Sequence, residues 1–173
     1  MNDSMLDTAS IRTFEHSSIR AFEHSPEHFP EHCCAIITCP DGRLLLELRP
    51  VTAKYAPDRL ACFGGKREDE DAEQCLRREL REELAWEPAV LGAHVDLWKA
   101  DRYIARFFTC ELPGEVVVRP YAGACAVRVP RACLGALPLT PWHAAVLTAW
   151  TAGNTLVDLA TNHQPPSTNH RLP

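Results

Sequence analysis

Apolar and β-branched residues form short runs along the chain, and turn residues separate these runs. Residues 33–39 (CCAIITC) and 43–48 (RLLLEL) flank a Pro-Asp-Gly turn, which predicts a β-hairpin. A shorter run at 60–63 (LACF) precedes two glycines and is typical of a further strand. Later runs of the same character predict the remaining strands, at 89–98, 102–112 and 123–129.

Two other segments repeat apolar residues at the period of a helix. Leucines occupy every fourth position from residue 76 to residue 84, as on one side of a helix, and we expect Pro88 to end this helix. Residues 141–150 (PWHAAVLTAW) predict a second helix that has its proline in the first turn. Strands before and after a central helix, with another helix near the end, predict an α/β fold in which helices pack on the faces of a mixed β-sheet.

The ends of the chain differ from its middle. The octapeptide SIRTFEHS at 10–17 is followed at once by SIRAFEHS at 18–25, and one such duplication is too short to bury a face of its own. We therefore expect residues 1–31 to form a flexible arm and residues 32–160 to form one domain. Residues 161–173 contain two consecutive prolines and predict a disordered tail.

The overall charge restricts the class of partner. The 173 residues carry a formal net charge of −5, so the chain lacks the basic character of proteins that bind nucleic-acid polymers or membrane surfaces. No apolar run approaches the roughly 20 residues of a membrane span, and the polar start lacks the apolar segment of a signal peptide. These features predict a cytoplasmic protein that acts on a small molecule, with monomer and homodimer both open.

Eight cysteines raise the alternatives of a disulfide framework or a metal site. No two of them form a Cys-x-x-Cys pair, and most lie inside apolar runs, where a reduced thiol behaves as a small buried hydrophobe. We expect reduced and mostly buried thiols, as is usual in the cytosol.

The first predicted helix gathers carboxylates on one face. Glu79, Glu82 and Glu83 have the spacing i, i+3 and i+4, and each such like-charge pair costs about 0.2 to 0.5 kcal/mol on an exposed helix. A hard divalent cation, Mg²⁺ or Mn²⁺, would offset this repulsion because it prefers carboxylate oxygens. Such a segment is also typical of the solvated face of an ordinary domain, but Gly64 and Gly65 precede it and allow the backbone to approach a ligand closely.

This order of residues resembles the signature of the Nudix, or MutT-type, hydrolases: a Gly, a Glu a few residues later, and then Arg-Glu-apolar-x-Glu-Glu-x-Gly. The resemblance implies an α/β/α sandwich with a mixed β-sheet. It also implies Mg²⁺-dependent hydrolysis, with Mn²⁺ as an alternative, of the pyrophosphate linkage of a nucleoside diphosphate derivative such as an oxidised nucleoside triphosphate. The matching residues, preceded by FGGK at 63–66, are Gly65, Glu70, Arg78, Glu79, Leu80, Glu82 and Glu83.

The resemblance also implies roles for individual residues. Three glutamates, Glu79, Glu82 and Glu83, are the expected metal ligands, and one of them is also a candidate base. Glu70 would support this cluster and Arg78 would position Glu79. Tyr103, which lies 17 residues after Trp86, resembles a mark of dinucleoside polyphosphate hydrolases. The candidate substrate-binding residues are Gly64, Gly65, Lys66, Arg49 and Tyr103.

The sequence departs from the family pattern in the loop and at the end of the helix. Four residues, rather than the usual five, separate Gly65 from Glu70, so either the loop is one residue shorter or Asp71 takes the carboxylate role. The closing glycine is Ala85, which predicts a helix that ends one residue later, near Trp86, because alanine disfavours positive φ.

A further departure concerns the base. Many relatives use a carboxylate from the loop before the last strand, but no Asp or Glu occurs between Val116 and Val157. Either the helix suffices or another acid serves; the alternatives are Asp96, Asp101, Glu111, Glu115 and Glu47 of the early hairpin. The gap also leaves open a catalytically impaired Nudix-fold module that binds nucleotides or regulates another process.

Overall fold

The computed structural model describes residues 29–159. The duplicated octapeptide and the predicted tail lie outside the described residues, as does all but the last part of the predicted arm. The described strands are β1 (His32–Thr38), β2 (Leu44–Leu48), β3 (Leu60–Ala61), β4 (Phe63–Lys66), β5 (His94–Lys99), β6 (Arg102–Glu111), β7 (Cys125–Val129) and β8 (Leu156–Asp158). The helices are α1 (Ala72–Leu84), a 3₁₀ helix (Arg131–Ala136) and α2 (Pro141–Thr151).

All eight of these strands belong to one mixed sheet. The order is β3-β2-β1-β6-β5-β8; in addition, β4 pairs with β1 and β7 pairs with β2. The predicted hairpin is present, with Ile37 opposite Leu45 in antiparallel register. One edge of β1 pairs in parallel with β6, so β4 and β2 share the other edge, β4 beside residues 32–35 and β2 beside residues 37–38.

Apolar side chains on the two faces of the sheet form two cores. Ile36 and Ile37 are neighbours in β1 and belong to different cores, because successive residues of a strand point to opposite faces. Val146 and Leu147 of α2 pack into one core, whereas the leucines of α1 pack into the other. The predicted α/β fold, a mixed sheet with a helix on each face, is therefore confirmed.

Local capping explains where α1 begins. The Asp71 side chain accepts from the Gln74 amide at 2.8 Å, and the Gln74 side chain accepts from the Asp71 amide at 3.2 Å. This reciprocal pair satisfies two amides that have no partner within the helix.

The end of α1 corrects a prediction. The helix stops at Leu84, and Ala85 takes the left-handed conformation, with φ of 51°, and donates its amide to the Arg81 carbonyl. The expectation of a helix extended by one residue is therefore wrong. The reason is that a distant segment of the chain binds the last turn of the helix. The Arg119 amide donates to the Leu84 carbonyl, and the Tyr121 amide donates to the Glu83 carbonyl.

The predicted strands at 33–39, 43–48, 102–112 and 123–129 and the second helix agree with the structure to within about two residues. The strand predicted at 89–98 begins only at His94, while β8 and the 3₁₀ helix have no strong sequence pattern and were not predicted. All eight cysteines are free; six are buried, and Cys125 and Cys133 are exposed. Neither α-helix in the described part is long and apolar enough to cross a lipid bilayer.

Candidate active site

Two glycines bring the backbone of β4 against α1. Gly64 has φ of +134°, which side chains rarely tolerate, and a Cβ there would lie 2.2 Å from the Cys33 carbonyl oxygen. A Cβ at Gly65 would lie 2.4 Å from the carboxylate of Glu79. Gly64 is therefore required because the backbone of β1 lies too close for a side chain, whereas Gly65 leaves room for the Glu79 carboxylate.

Glu83 contacts this strand directly. Its Oε2 accepts a hydrogen bond from the Gly64 amide at 2.8 Å. Burial is the main cause that raises the pKa of Glu83, and although the Gly64 hydrogen bond opposes it, the charges of Glu47 and Glu79 add to it, so the pKa reaches about 8. The ionised form of Glu83 is therefore disfavoured mainly by burial.

Glu79 lies between a cation and other acids. Burial raises its pKa, the Arg78 guanidinium opposes the shift, and the charges of Glu82 and Glu70 support it. Arg78 donates to Glu79 at 2.8 Å and to Glu70 at 2.9 Å, and it also donates to the Lys66 carbonyl at 3.1 Å. This one guanidinium therefore ties α1, the preceding loop and the end of β4 together.

The contacts of the loop distinguish the two alternatives for its missing residue. The Glu70 carboxylate binds Arg78, and this hydrogen bond is the main cause of its lowered pKa. Asp71 instead caps the helix through Gln74. The geometry favours a loop that is one residue shorter and keeps Glu70 beside the site.

The third glutamate is more exposed than the other two. The Glu82 side chain is 60% exposed and lies 3.4 Å from Arg78. Across residues 29–159, no three His, Cys, Asp or Glu side chains are already arranged as a metal site. The donor chemistry nevertheless fits a hard divalent cation, since Glu79, Glu82 and Glu83 offer carboxylate oxygens on neighbouring turns of one helix.

The predicted substrate-binding residues do not all lie together. Lys66 is exposed at the end of β4, where its backbone carbonyl accepts from Arg78. Arg49 donates to Glu47 at 3.2 Å and to the Tyr55 carbonyl at 3.0 Å, and its charge acts on Glu83. Arg49 therefore lies near Glu83, the last of the three glutamates of α1.

Tyr103 belongs to a different cluster. Its side chain is 8% exposed, its hydroxyl donates to Asp96, and its ring stacks on Trp98 with centroids 4.7 Å apart. Asp96 also accepts from Arg106 at 2.8 Å. The role of Tyr103 in binding a substrate stays a prediction.

Two further residues lie beside the cluster: Glu47, which the sequence offered only as one alternative base, and Tyr121, which was not predicted. Glu47 is 1% exposed in β2, and the Tyr121 hydroxyl donates to it at 2.5 Å. A signal for Glu47 was present, because it is the one charged residue in the apolar strand LLLEL. Tyr121 lies in a loop and carried no comparable signal.

Comparison with known proteins identifies the arrangement of strand, glycines and acidic helix. The model of the NUDIX domain matches residues 28–150. The chain belongs to the Nudix family. No curated protein matches the chain significantly in sequence.

Solved Nudix structures share this fold. The MutT protein from Methanosarcina mazei Go1 has a TM-score of 0.59 at 18% identity, and the match covers 75% of this chain and 98% of that one. The E. coli ORF135 protein has a TM-score of 0.56 at 29% identity, with 72% and 90% covered. A C. elegans Ap4A hydrolase has a TM-score of 0.57 at 16% identity, with 70% and 96% covered.

Proposed function

We propose that this Nudix protein is a Mg²⁺-dependent pyrophosphohydrolase that cleaves the pyrophosphate linkage of a nucleoside diphosphate derivative. The observation that carries the proposal is the placement of the Glu79 and Glu83 carboxylates against the glycine pair of β4. Mn²⁺ is the alternative metal, because it accepts the same oxygen ligands. Eight free cysteines favour action in the cytoplasm, where thiols stay reduced.

Different residues of the site have different proposed roles. Glu79, Glu82 and Glu83 would hold the metal, and Arg78 fixes Glu79 from the side. When bound, Mg²⁺ supplies charge neutralisation for the pyrophosphate and lowers the pKa of a water. Glu83 is the candidate to accept a proton from the attacking water.

The substrate would lie along the end of β4. The backbone of Gly64 and Gly65 permits close approach, and the Lys66 and Arg49 side chains bring positive charge for phosphate groups. Candidate substrates include oxidised nucleoside triphosphates and, because a structural relative is an Ap4A hydrolase, dinucleoside polyphosphates.

A hydrolysis screen tests the proposal, with the nucleotide products separated and quantified by anion-exchange chromatography. The purified protein is assayed against nucleoside triphosphates, dinucleoside polyphosphates, ADP-ribose and nucleotide sugars, each with Mg²⁺, with Mn²⁺ and with EDTA. We expect metal-dependent cleavage of at least one of these substrate classes. Turnover that persists in EDTA, or no turnover of any class, would contradict the proposal.

The second candidate is a catalytically impaired module that binds nucleotides or regulates another process. The absence of any Asp or Glu from the segment between Val116 and Val157 favours it. Tight binding of a nucleotide from the same panel, measured by calorimetry, with no cleavage of that nucleotide, would identify this module.

A further inference from the structure

Glu47 is the most deeply buried carboxylate among the described residues, and it lies beside the proposed site rather than in the core at large. It sits in β2 opposite Ala61 of β3 and Ala126 of β7, so small side chains flank it on both neighbouring strands. A charged group buried to this extent must be compensated. Two donors are present: the Tyr121 hydroxyl and the Arg49 guanidinium.

Tyr121 connects this carboxylate to α1. Its hydroxyl donates to Glu47 at 2.5 Å, and its backbone amide donates to the Glu83 carbonyl at 3.0 Å. Tyr121 lies in the loop before β7, within the stretch from Val116 to Val157 that contains no Asp or Glu. The loop thus brings a hydrogen-bond donor, instead of an acid, to the end of the acidic helix.

Strand pairing also brings Glu47 toward the Glu83 end of α1. Glu47 lies opposite Ala61 of β3, and Ala61 precedes by three residues Gly64, whose amide donates to the Glu83 carboxylate at 2.8 Å. Arg49, two residues after Glu47 in the chain, donates to the Glu47 carboxylate at 3.2 Å. Glu47 is therefore held on the side of the sheet segment that contacts Glu83.

We propose that Glu47, held by Tyr121 and Arg49, is the fourth carboxylate of the metal site and takes the place of an acid that residues 116–124, the part of the loop next to β7, do not contain. It acts as a positioning residue behind Glu83 and adds negative potential where the cation would bind. Hydrogen-bonded carboxylates behind metal ligands strengthen binding in this way. The assignment rests on the proposed function of the site.

The test measures metal affinity directly, without turnover. Binding of Mn²⁺ to wild-type protein and to Glu47→Gln is followed by electron paramagnetic resonance of the free ion, in the absence of nucleotide. We expect Glu47→Gln to weaken binding about 10- to 100-fold, the usual effect of losing a group behind a metal ligand. The matched control is Glu87→Gln, which removes an exposed acid beyond α1 that pairs with Arg81, and it should bind Mn²⁺ like wild type.

Tyr121→Phe provides a second variant that keeps the buried ring and removes only the hydroxyl. We expect a smaller loss of Mn²⁺ affinity, together with a higher Mg²⁺ concentration for half-maximal turnover and a nearly unchanged kcat at saturating Mg²⁺. Its control is Tyr55→Phe, because Tyr55 is exposed and its hydroxyl makes no contact described at the site. If Glu47→Gln does not fold, Tyr121→Phe decides the question.

The outcomes separate this assignment from the proposed function. Wild-type affinity in both Glu47→Gln and Tyr121→Phe, in a protein that is otherwise active, overturns the assignment alone and makes Glu47 a structural residue. A wild-type protein that binds no Mn²⁺ and cleaves no substrate overturns the proposed function, and the role of Glu47 with it.

Discussion

At the scale of single residues, the two adjacent glycines of β4 serve different purposes. Gly64→Ala should cost at least about 2 kcal/mol of unfolding free energy, because the new Cβ meets backbone and φ is positive. Gly65→Ala should cost about 1 kcal/mol or less, because its Cβ meets only the mobile end of Glu79. Urea unfolding measures both values, and metal-dependent turnover should fall sharply in Gly65→Ala despite its retained stability.

A third glycine is the control for this comparison. A Cβ at Gly114 would make an ordinary contact of 3.7 Å with Pro40, so Gly114→Ala should change neither stability nor turnover appreciably. Full turnover in Gly65→Ala would show that Glu79 need not occupy the space above that glycine.

Glu83 makes the stability of the metal-free protein depend on pH. Its pKa is about 8 in the folded state and near the ordinary 4.5 in the unfolded state, so the folded state binds the proton more tightly. The resulting contribution to stability is full below pH 4.5 and is lost as the pH rises to 8. We expect Glu83→Gln in EDTA to be more stable than wild type at pH 8.5, by an amount on the order of a few kcal/mol.

Thermal unfolding of both proteins at pH 5 and pH 8.5 checks this prediction. The gap between them should be wide at pH 8.5 and narrow at pH 5, and saturating Mg²⁺ should stabilise wild type most at the higher pH. A gap that does not change with pH would show that Glu83 ionises normally.

At the scale of elements, α1 ends at a strained residue. Ala85 has φ of 51°. The helix ends there because the Arg119 and Tyr121 amides bind the carbonyls of its last turn. Ala85→Gly should therefore raise the free energy of unfolding by up to about 1 kcal/mol, since glycine adopts this conformation without strain. Urea denaturation of the two proteins measures the difference, and a less stable variant would contradict the strain argument.

The elements that the sequence predicts are those specified by local pattern. The hairpin, α1 and α2 follow from alternation, a turn and leucines at helical spacing, all within about 15 residues of chain. The end of α1 was mispredicted because the preference of Ala85 competes with distant partners, Arg119 and Tyr121. The short strand β8 forms by pairing with β5, and no local sequence pattern predicts that pairing.

At the scale of the whole molecule, pairing between distant strands assembles the site. The motif on α1 predicts the glutamates at once, because they lie within one turn of each other. The neighbourhood of Glu47 depends instead on β2 lying between β3 and β7 and on a loop that reaches back to α1. Such contacts span more than 70 residues, as the hydrogen bond between Tyr121 and Glu47 does, and cannot be read from spacing.

The two-sided sheet also explains why the acidic face can exist. The leucines of α1 pack in one core, so the helix keeps its position although the side that faces the site carries carboxylates that repel one another. The central claim is that these carboxylates hold a divalent cation against a pyrophosphate.

The rate of Mg²⁺-dependent cleavage by Glu83→Gln, on the best substrate of the screen and measured from its nucleotide product, tests this claim most directly. The matched control is Glu73→Gln, which removes an exposed acid from the first turn of the same helix. We predict a loss of at least about 100-fold in kcat for Glu83→Gln with the fold retained, and a rate close to wild type for Glu73→Gln. Wild-type turnover by Glu83→Gln would contradict the account.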